Sequence, residues 1–226
     1  MQTKAPDEII EKAVACGATA AGATSAEKLA AAPSYSAAGM EAALPEDAAV
    51  LVLALEHPEN RPELDWWDGD RGTPGNRRLI DIARQTCSWL EQAHGIQAGD
   101  LPYYVQAGGA FLKDAAVLAG LGVIGRNNLL ITPGFGPRVR LRAILIDHPL
   151  TPGPPLDDFS PCSGCPSPCH EACPQNAFDT GDYARPPCTV QMNEDVQNRR
   201  ETVQNGVTLQ QVRYCRACEL ACPAGF

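Results

Sequence analysis

Residues 162–174 read CSGCPSPCHEACP and residues 215–223 read CRACELACP, so two short stretches near the C-terminal end are dominated by cysteine. Each stretch ends in a Cys-Pro pair, and Cys188 lies between them. Eight of the ten cysteines therefore fall between residues 162 and 222. The N-terminal sequence lacks the basic-then-apolar order of a signal peptide, and we expect a cytoplasmic protein. In that reducing compartment, crowded cysteines favour metal binding over disulfides.

The spacing of these cysteines is typical of proteins that bind two [4Fe–4S] clusters. In that pattern three close cysteines bind one cluster, and the cysteine of the Cys-Pro pair binds the other. The first stretch departs from it, with three residues rather than two between its second and third cysteines. The predicted ligands of one cluster are Cys162, Cys165, Cys169 and Cys222, and those of the other are Cys173, Cys188, Cys215 and Cys218.

Other uses of the same cysteines stay open. Two tetrahedral zinc sites with four thiolates each would need the same eight residues, although the paired Cys-Pro motifs favour clusters. Disulfides are a weaker alternative, because nothing suggests export. Cys16 and Cys87 lie on apolar helical faces and are predicted to be ordinary buried thiols. His170 is predicted to face solvent or to support a ligand rather than to bind metal.

The remainder of the chain predicts a mixed domain. Apolar periodicity indicates helices over 6–16, 77–94 and 111–121, and apolar runs indicate strands at 18–24, 49–55 and 103–105. Residues 128–132 and 139–147 are predicted to form a hairpin. A Pro-rich connector over 149–161 is placed at a domain boundary. We therefore predict an α+β protein with an α/β cofactor domain at 1–150 and a two-cluster ferredoxin-like module at 151–226.

The net charge and the hydropathy of the sequence limit the classes of partner that we expect. The net charge of −9 disfavours a nucleic acid, which this surface would repel. The alternating Arg138, Arg140 and Arg142 are interpreted as the solvent-facing side of a strand, with a local basic patch as the alternative. No stretch reaches the roughly 20 apolar residues that span a bilayer, so no membrane partner is expected. The remaining classes of expected partner are a small-molecule substrate and a redox partner protein.

Residues 113–131, KDAAVLAGLGVIGRNNLLI, resemble the signature of the epoxyqueuosine reductase family, which is related to the cobalamin-dependent reductive dehalogenases. The resemblance continues through Asp147 and Pro149 into the cysteine-rich part, where the lone Cys188 follows an ARPP stretch. The resemblance to the family is close over residues 100–226 and weaker over residues 5–55. It implies a nitroreductase-like α/β domain that holds a base-off cobalamin beside the first cluster.

The same resemblance implies which residues face that cofactor. They are Gln106, Lys113, Gly120, Gly122, Gly125 and Arg126. The glycines allow a close approach of backbone to a flat macrocycle or a phosphate, or else they end the preceding helix. Lys113 or Arg126 can meet a phosphate or an amide of the cofactor. A nitroreductase-like fold also admits a flavin instead of cobalamin.

Two departures from the family bear on function. The aspartate that the family is proposed to use as a proton donor corresponds to Gln106, which cannot act as a general acid. The family's helical-repeat segment, which helps to hold tRNA, would follow Cys222, and we expect this protein to lack it. We therefore predict an oxidoreductase that passes low-potential electrons from two clusters to cobalamin and reduces a small, unknown substrate. The alternative is a non-catalytic electron carrier, a corrinoid-reducing activator or a corrinoid-binding protein.

Overall fold

A computed structural model describes residues 6–204 and 206–225. Residues 1–5 of the N-terminal stretch lie outside the described residues. The helices are α1 (Pro6–Ala15), α2 (Ala26–Ala30), α3 (Pro33–Ala38), α4 (Pro74–His94), α5 (Leu112–Leu118), α6 (Pro168–Glu171), α7 (Arg185–Gln197) and α8 (Ala217–Leu220). The strands are β1 (Ala20–Ser25), β2 (Ala49–Glu56), β3 (Trp67–Asp68), β4 (Ala98–Asp100), β5 (Val123–Ile124), β6 (Leu130–Ile131), β7 (Val139–Ile146), β8 (Arg200–Gln204) and β9 (Val207–Val212). Short 3-10 helices cover Pro62–Asp65, Gly69–Arg71 and Val105–Ala107.

The chain separates into two compact units, each made of three segments. The first unit contains Met1–Leu55, Arg78–Val123 and Arg140–Phe159. The second contains Glu56–Arg77, Ile124–Val139 and Ser160–Phe226. The second unit thus adds two segments from the first 150 residues to the cysteine-rich part. The domain assignment 1–150 and 151–226 stays a prediction, while the α+β class is confirmed.

The first unit is built on a four-stranded sheet in the order β1-β2-β7-β4. Strand β2 pairs antiparallel with β1, with Ala23 opposite Leu51. Its run AVLVLAL is buried at every position, as expected for a strand covered on both faces. Leu51, Leu53 and Ile144 are completely buried in one apolar core.

Two amphipathic helices contribute their apolar faces to that core. Helix α1 buries Ile9 and Ala13, and it begins with acidic residues where the helix dipole favours negative charge. Helix α4 buries Leu79, Ile82 and Leu90, and its buried Thr86 hydroxyl donates to the Ile82 carbonyl at 2.9 Å. The predicted helices at 6–16 and 77–94 are thus confirmed to within three residues.

Two sequence predictions in this part of the chain are wrong. Residues 103–105 form no strand, because Tyr103 and Tyr104 are 50% and 63% exposed and a 3-10 helix follows at once. Residues 128–132 do not pair with 139–147, since β6 pairs with β5 while β7 lies within the four-stranded sheet. Local apolar pattern identified the strands, but it carries no information about which strand each one joins.

The interpretation of the arginine run as solvent-facing is also wrong for two of its residues. Arg138 is 3% exposed and Arg142 is 8% exposed. Arg142 donates two hydrogen bonds to the Asp100 carboxylate, at 2.8 and 2.7 Å, which compensates its burial. Neither side chain is available for a basic surface patch.

Among the described residues, no helix has both the length and the apolar character needed to cross a membrane.

The second unit has little apolar core. Its three-stranded sheet runs β3-β9-β8, with Asp68 opposite Gln211 and Thr202 opposite Leu209. The short helices α6 and α8 contact each other. Helix α7 buries none of its 13 residues. Turns and short helices therefore present the cysteines in this unit.

Candidate metal centres

The first cysteine stretch is a series of tight turns that leads into α6. The Ser163 and Cys165 N–H groups donate to the Ser160 and Cys162 carbonyls. Ser167 has a φ of 61°, a left-handed conformation that redirects the backbone before Pro168 begins α6. Cys169 lies on α6 and is buried. The frequent prolines and the turn at Ser167 explain why this stretch winds around a centre instead of extending.

The second cysteine stretch places its last cysteine beside α6. Cys218 lies on α8, and the Cys222 N–H donates to the Glu219 carbonyl just after that helix ends. Since α6 contacts α8, the buried Cys169 and Cys222 are brought together. The two cysteine stretches therefore meet through their short helices.

The mutual influence of the thiols defines a first group. Burial raises the pKa of Cys169, and the neighbouring Cys222 raises it further, followed by Cys162 and Cys165. Burial also raises the pKa of Cys222, to which Cys162 and Cys165 add. These four thiols line one small pocket that is partly open to solvent. Three cysteines of the first stretch and one of the second are thus neighbours.

A second group is defined in the same way. Burial raises the pKa of Cys218 to about 12, with further contributions from Cys215, Cys173 and Cys188. The pKa of Cys215 is raised first by burial, and Cys173 and Cys188 also contribute. Here Cys173 of the first stretch lies with the lone Cys188 and two cysteines of the second stretch. The exchange of one cysteine between stretches is the arrangement that the spacing predicts.

The composition of each group fits a four-iron cluster. A cubane binds its thiolates at separate irons, so its ligands surround a volume rather than converge on one ion. Within 6–204 and 206–225, no three His, Cys, Asp or Glu side chains lie close enough to hold a single metal ion. Cys16 and Cys87 are separate from both groups and pack partly buried against the core of the first unit. Burial raises the pKa of Cys87 to about 11.

Arg126 and Asn127 contact both cysteine stretches. The Arg126 backbone N–H donates to Cys162 Sγ at 3.5 Å, and its guanidinium donates to the Cys165 carbonyl at 3.3 Å. The same guanidinium donates to Ser167 Oγ at 3.0 Å. The buried Asn127 amide donates to the Cys218 carbonyl at 3.3 Å. Sequence reasoning missed Asn127, and no local signal marks it.

Arg138 fixes the end of the second cysteine stretch. Its guanidinium donates to the Cys222 carbonyl at 3.2 Å and to the Ala224 carbonyl at 2.6 Å. Because these backbone acceptors follow α8, the arginine holds the turn that carries Cys222. In the sequence, Arg138 is visible only as an arginine beside an apolar strand. The carbonyl groups that it binds lie more than 80 residues away along the chain, so this role could not be predicted.

A buried ionic network holds the loop between Cys215 and Cys218. Arg216 lies in that loop, 2.7 Å from the Asp65 carboxylate, and it also pairs with Glu219. The other Asp65 oxygen lies 2.7 Å from Nδ1 of His57, whose side chain is completely buried. Arg216 further donates to the His57 carbonyl at 2.8 Å. Residues of the segment 56–77 thereby position two predicted ligands.

The aromatic residues between the two cysteine groups form a short stack. The His170 ring stacks on Phe178, with centroids 4.4 Å apart, and Phe178 contacts Tyr183 at 5.9 Å. Burial raises the pKa of Tyr183, and a hydrogen bond with Cys188 raises it further. His170 is half-buried rather than solvent-facing, and its role as a support for a ligand stays a prediction.

The residues predicted to face an organic cofactor are divided between the two units. Gln106 is exposed on its 3-10 helix, and Lys113 is half-buried on α5. At Gly120 and Gly125 the backbone lies close to other parts of the protein. A Cβ at Gly120 would lie 2.4 Å from the Pro154 carbonyl oxygen, and one at Gly125 would lie 2.3 Å from Ile131.

Gly122 is buried in the first unit. Arg126, in the second unit, contacts the cysteine stretch, as described above. The role of this set in cofactor binding stays a prediction.

No family model matches the chain. Over 148 residues it is 27% identical to an epoxyqueuosine reductase of Bacillus subtilis, which covers 60% of the chain and 36% of the relative. Over 70 residues it is 41% identical to a tetrachloroethene reductive dehalogenase of Sulfurospirillum multivorans, which covers 29% of the chain and 13% of the relative. The chain thus spans well under half of the length of either relative.

Solved structures agree with these similarities. The structure of epoxyqueuosine reductase from Streptococcus thermophilus matches 96% of the chain with a TM-score of 0.64 and 20% identity, and 65% of that protein is covered. The catabolic reductive dehalogenase NpRdhA matches 96% of the chain with a TM-score of 0.61 and 18% identity, and 31% of it is covered. The chain therefore resembles the epoxyqueuosine reductases in sequence and fold and is related to the reductive dehalogenases.

Proposed function

We propose that the chain is an iron–sulfur oxidoreductase with two [4Fe–4S] clusters that pass low-potential electrons to a base-off cobalamin, which reduces a small substrate. One observation carries this proposal: cysteines of the two stretches are exchanged between two groups of four. The clusters would supply one-electron transfer and the corrinoid a reducing metal centre. No other use of the eight cysteines explains the exchange as directly.

The residues of the chain have separable tasks in this function. Cys162, Cys165, Cys169 and Cys222 bind one cluster, and Cys173, Cys188, Cys215 and Cys218 bind the other. Arg126 and Arg138 hold the backbone that carries the first set. Arg216, through Asp65 and Glu219, holds the loop that carries part of the second. Burial of Cys169 and Cys222 limits the access of water to the first set.

The cobalamin part of the proposal rests on the relatives. One solved reductive dehalogenase structure, with a TM-score of 0.54, is described in terms of B12-dependent dehalogenation. In this chain Gln106 and Lys113 of the first unit are the polar residues proposed to meet the cofactor. The Gln106 amide can donate or accept a hydrogen bond, which suits it to orienting a substrate or a water molecule. Flavin is the competing cofactor.

We also propose that the substrate is not a nucleic acid. The chain carries a net charge of −9, and Arg138 and Arg142 are buried rather than displayed. A redox protein partner in the cytoplasm is the other class of partner that we propose. The absence of a general acid at Gln106 favours, as the second candidate function, a carrier or activator that reduces a corrinoid held by another protein.

Anaerobic purification followed by metal analysis and cobalamin titration tests the proposal. We expect about eight irons and eight sulfides per chain, and a base-off spectral shift when cob(II)alamin is added. Stoichiometric zinc without broad visible absorption would refute the cluster assignment. Two clusters without the shift, or with bound flavin, would refute the cobalamin assignment and support the carrier. Turnover of a substrate panel by cobalamin-loaded protein separates the enzyme from the carrier.

A further inference from the structure

The two cysteine groups have surroundings of opposite charge. The guanidinium of Arg126 binds the Cys165 carbonyl at 3.3 Å and Ser167 Oγ at 3.0 Å, within the loop of the first group. Its backbone N–H donates to Cys162 Sγ at 3.5 Å. A cation and a hydrogen bond to sulfur therefore act on the same side of the first group.

A second cation reaches the first group from another segment. Arg138 is 3% exposed, and its guanidinium binds the Cys222 and Ala224 carbonyls. The positive charge of Arg138 therefore lies against the turn that carries Cys222. Two guanidiniums thus adjoin the four thiols of the first group.

Carboxylates adjoin the second group instead. Asp195 Oδ2 accepts a hydrogen bond from the Cys215 backbone N–H at 2.7 Å. Glu219, which is 4% exposed, follows Cys218 directly in sequence.

Cations near the second group do not cancel these charges. Arg216 pairs with both Glu219 and Asp65, so one positive charge is shared between two carboxylates. Arg185 begins α7, the helix that carries Cys188. With Asp195 included, three carboxylates and two guanidiniums lie near the second group, against two guanidiniums at the first.

We propose that Arg126 and Arg138 on one side, and Asp195 and Glu219 on the other, give the cluster at the first group the higher reduction potential. This inference rests on the proposed function, because it requires a cluster at each group. Reduction adds one negative charge to a cluster. An adjacent guanidinium stabilises that charge and a carboxylate destabilises it, and net charge and hydrogen bonds to sulfur are known determinants of cluster potential. At equilibrium a single added electron therefore resides at the first group.

An EPR-monitored redox titration of the full chain carrying both clusters tests the ordering. Cys165→Ser and Cys215→Ser assign the two signals to their groups. We expect Arg126→Gln to lower the ratio of reduced to oxidised first cluster at fixed potential by about tenfold, which is about 59 mV for one electron. Asp195→Asn keeps an oxygen acceptor for the Cys215 N–H and is expected to raise the ratio at the second cluster.

Matched variants separate charge from structure. Arg126→Lys keeps the charge and is expected to retain most of the parent potential. Arg199→Gln removes an exposed cation whose guanidinium contacts only the Val196 carbonyl among the hydrogen bonds described, and it is expected to shift neither signal. Equal potentials, a reversed order, or the same shift in Arg126→Gln and Arg199→Gln would overturn the inference. A chain without two clusters would overturn the proposed function instead.

Discussion

The first unit is stabilised by apolar burial, whereas the second is organised around thiols and the polar groups that hold them. Leu51, Leu53, Ile82 and Ile144 are fully or almost fully buried in the first. In the second, α7 buries no residue, Arg126 and Arg138 bind the cysteine loops, and Arg216 joins its own loop to the His57 carbonyl. A hydrophobic core forms whenever the chain folds. Thiols, in contrast, must lose their protons to bind metal, and the burial that raises the pKa of Cys169 and Cys218 opposes that loss until metal binds. The two units should therefore respond differently to loss of iron.

Removal of the iron tests this contrast most strongly. We expect chelation under denaturant-free conditions to make amides of 160–223 exchange rapidly with solvent, while β2 and α4 stay protected. The reason is that metal binding supplies folding free energy to loops that have little apolar burial of their own. Hydrogen exchange measured by mass spectrometry, with the iron-loaded chain as the control, reports both regions. Equal loss of protection in both units would show that the clusters stabilise the whole chain.

The exchange of ligands between stretches gives the next largest effect. We expect Cys222→Ser to reduce iron from about eight to about four atoms per chain, by loss of the cluster that Cys162, Cys165 and Cys169 bind. Cys173→Ser is expected to affect the other cluster. Iron analysis and EPR signals measure both. Cys16→Ala is the matched control and should leave the iron unchanged. Each substitution damaging only the cluster of its own stretch would contradict the assigned groups.

A substitution that leaves a cavity in the apolar core tests the stability of the first unit. We expect Leu53→Ala to lower the free energy of unfolding of the first unit by about 2–5 kcal/mol, because Leu53 is completely buried. Iron content should be unaffected when the variant is folded. Val203→Ala, at a position that is 71% exposed, should change stability by less than about 0.5 kcal/mol. Denaturant titration followed by hydrogen exchange of the β2 and α4 amides reports the first unit, and iron absorbance reports the second.

The smallest expected effect concerns a thiol outside both groups. Burial raises the pKa of Cys87 to about 11, so its neutral form is favoured in the folded state. Any stability this contributes is present below the ordinary thiol pKa and is lost as pH rises toward 11. We expect alkylation of Cys87 by iodoacetamide to be slow at pH 8 and to accelerate up to about pH 11, as peptide mapping would measure. A plateau reached by pH 9 would contradict the raised pKa.

Sequence predicted best what is encoded locally. The apolar run 49–55 identified β2, because a strand that is buried on both faces is apolar at successive positions. The helical periodicity of 77–94 identified α4, because a helix that is buried on one face repeats its apolar residues every three to four positions. The cysteine spacing predicted the two groups of four ligands, whose members the structure places near one another. The α+β class followed from the same patterns.

What sequence missed depends on contacts between distant residues. Asn127 and the Cys218 carbonyl are 91 residues apart, and Arg216 and the His57 carbonyl are 159 apart. Nothing in a local pattern shows that a buried amide or guanidinium will find a backbone acceptor so far along the chain. The hairpin predicted at 128–147 failed for the same reason, since strand partners are decided by the whole sheet.

The exchange of cysteines between the two stretches has a consequence for biosynthesis. While a ribosome is still translating the chain, neither group can be complete, because the first lacks Cys222 and the second lacks Cys215 and Cys218. Cysteines 162 to 188 emerge earlier as a partial set of ligands, which could take up iron in the wrong combination. If the two groups bind clusters as proposed, complete cluster insertion follows synthesis of the last stretch. A scaffold that delivers preformed clusters would then act on a chain whose first unit has been fully synthesised.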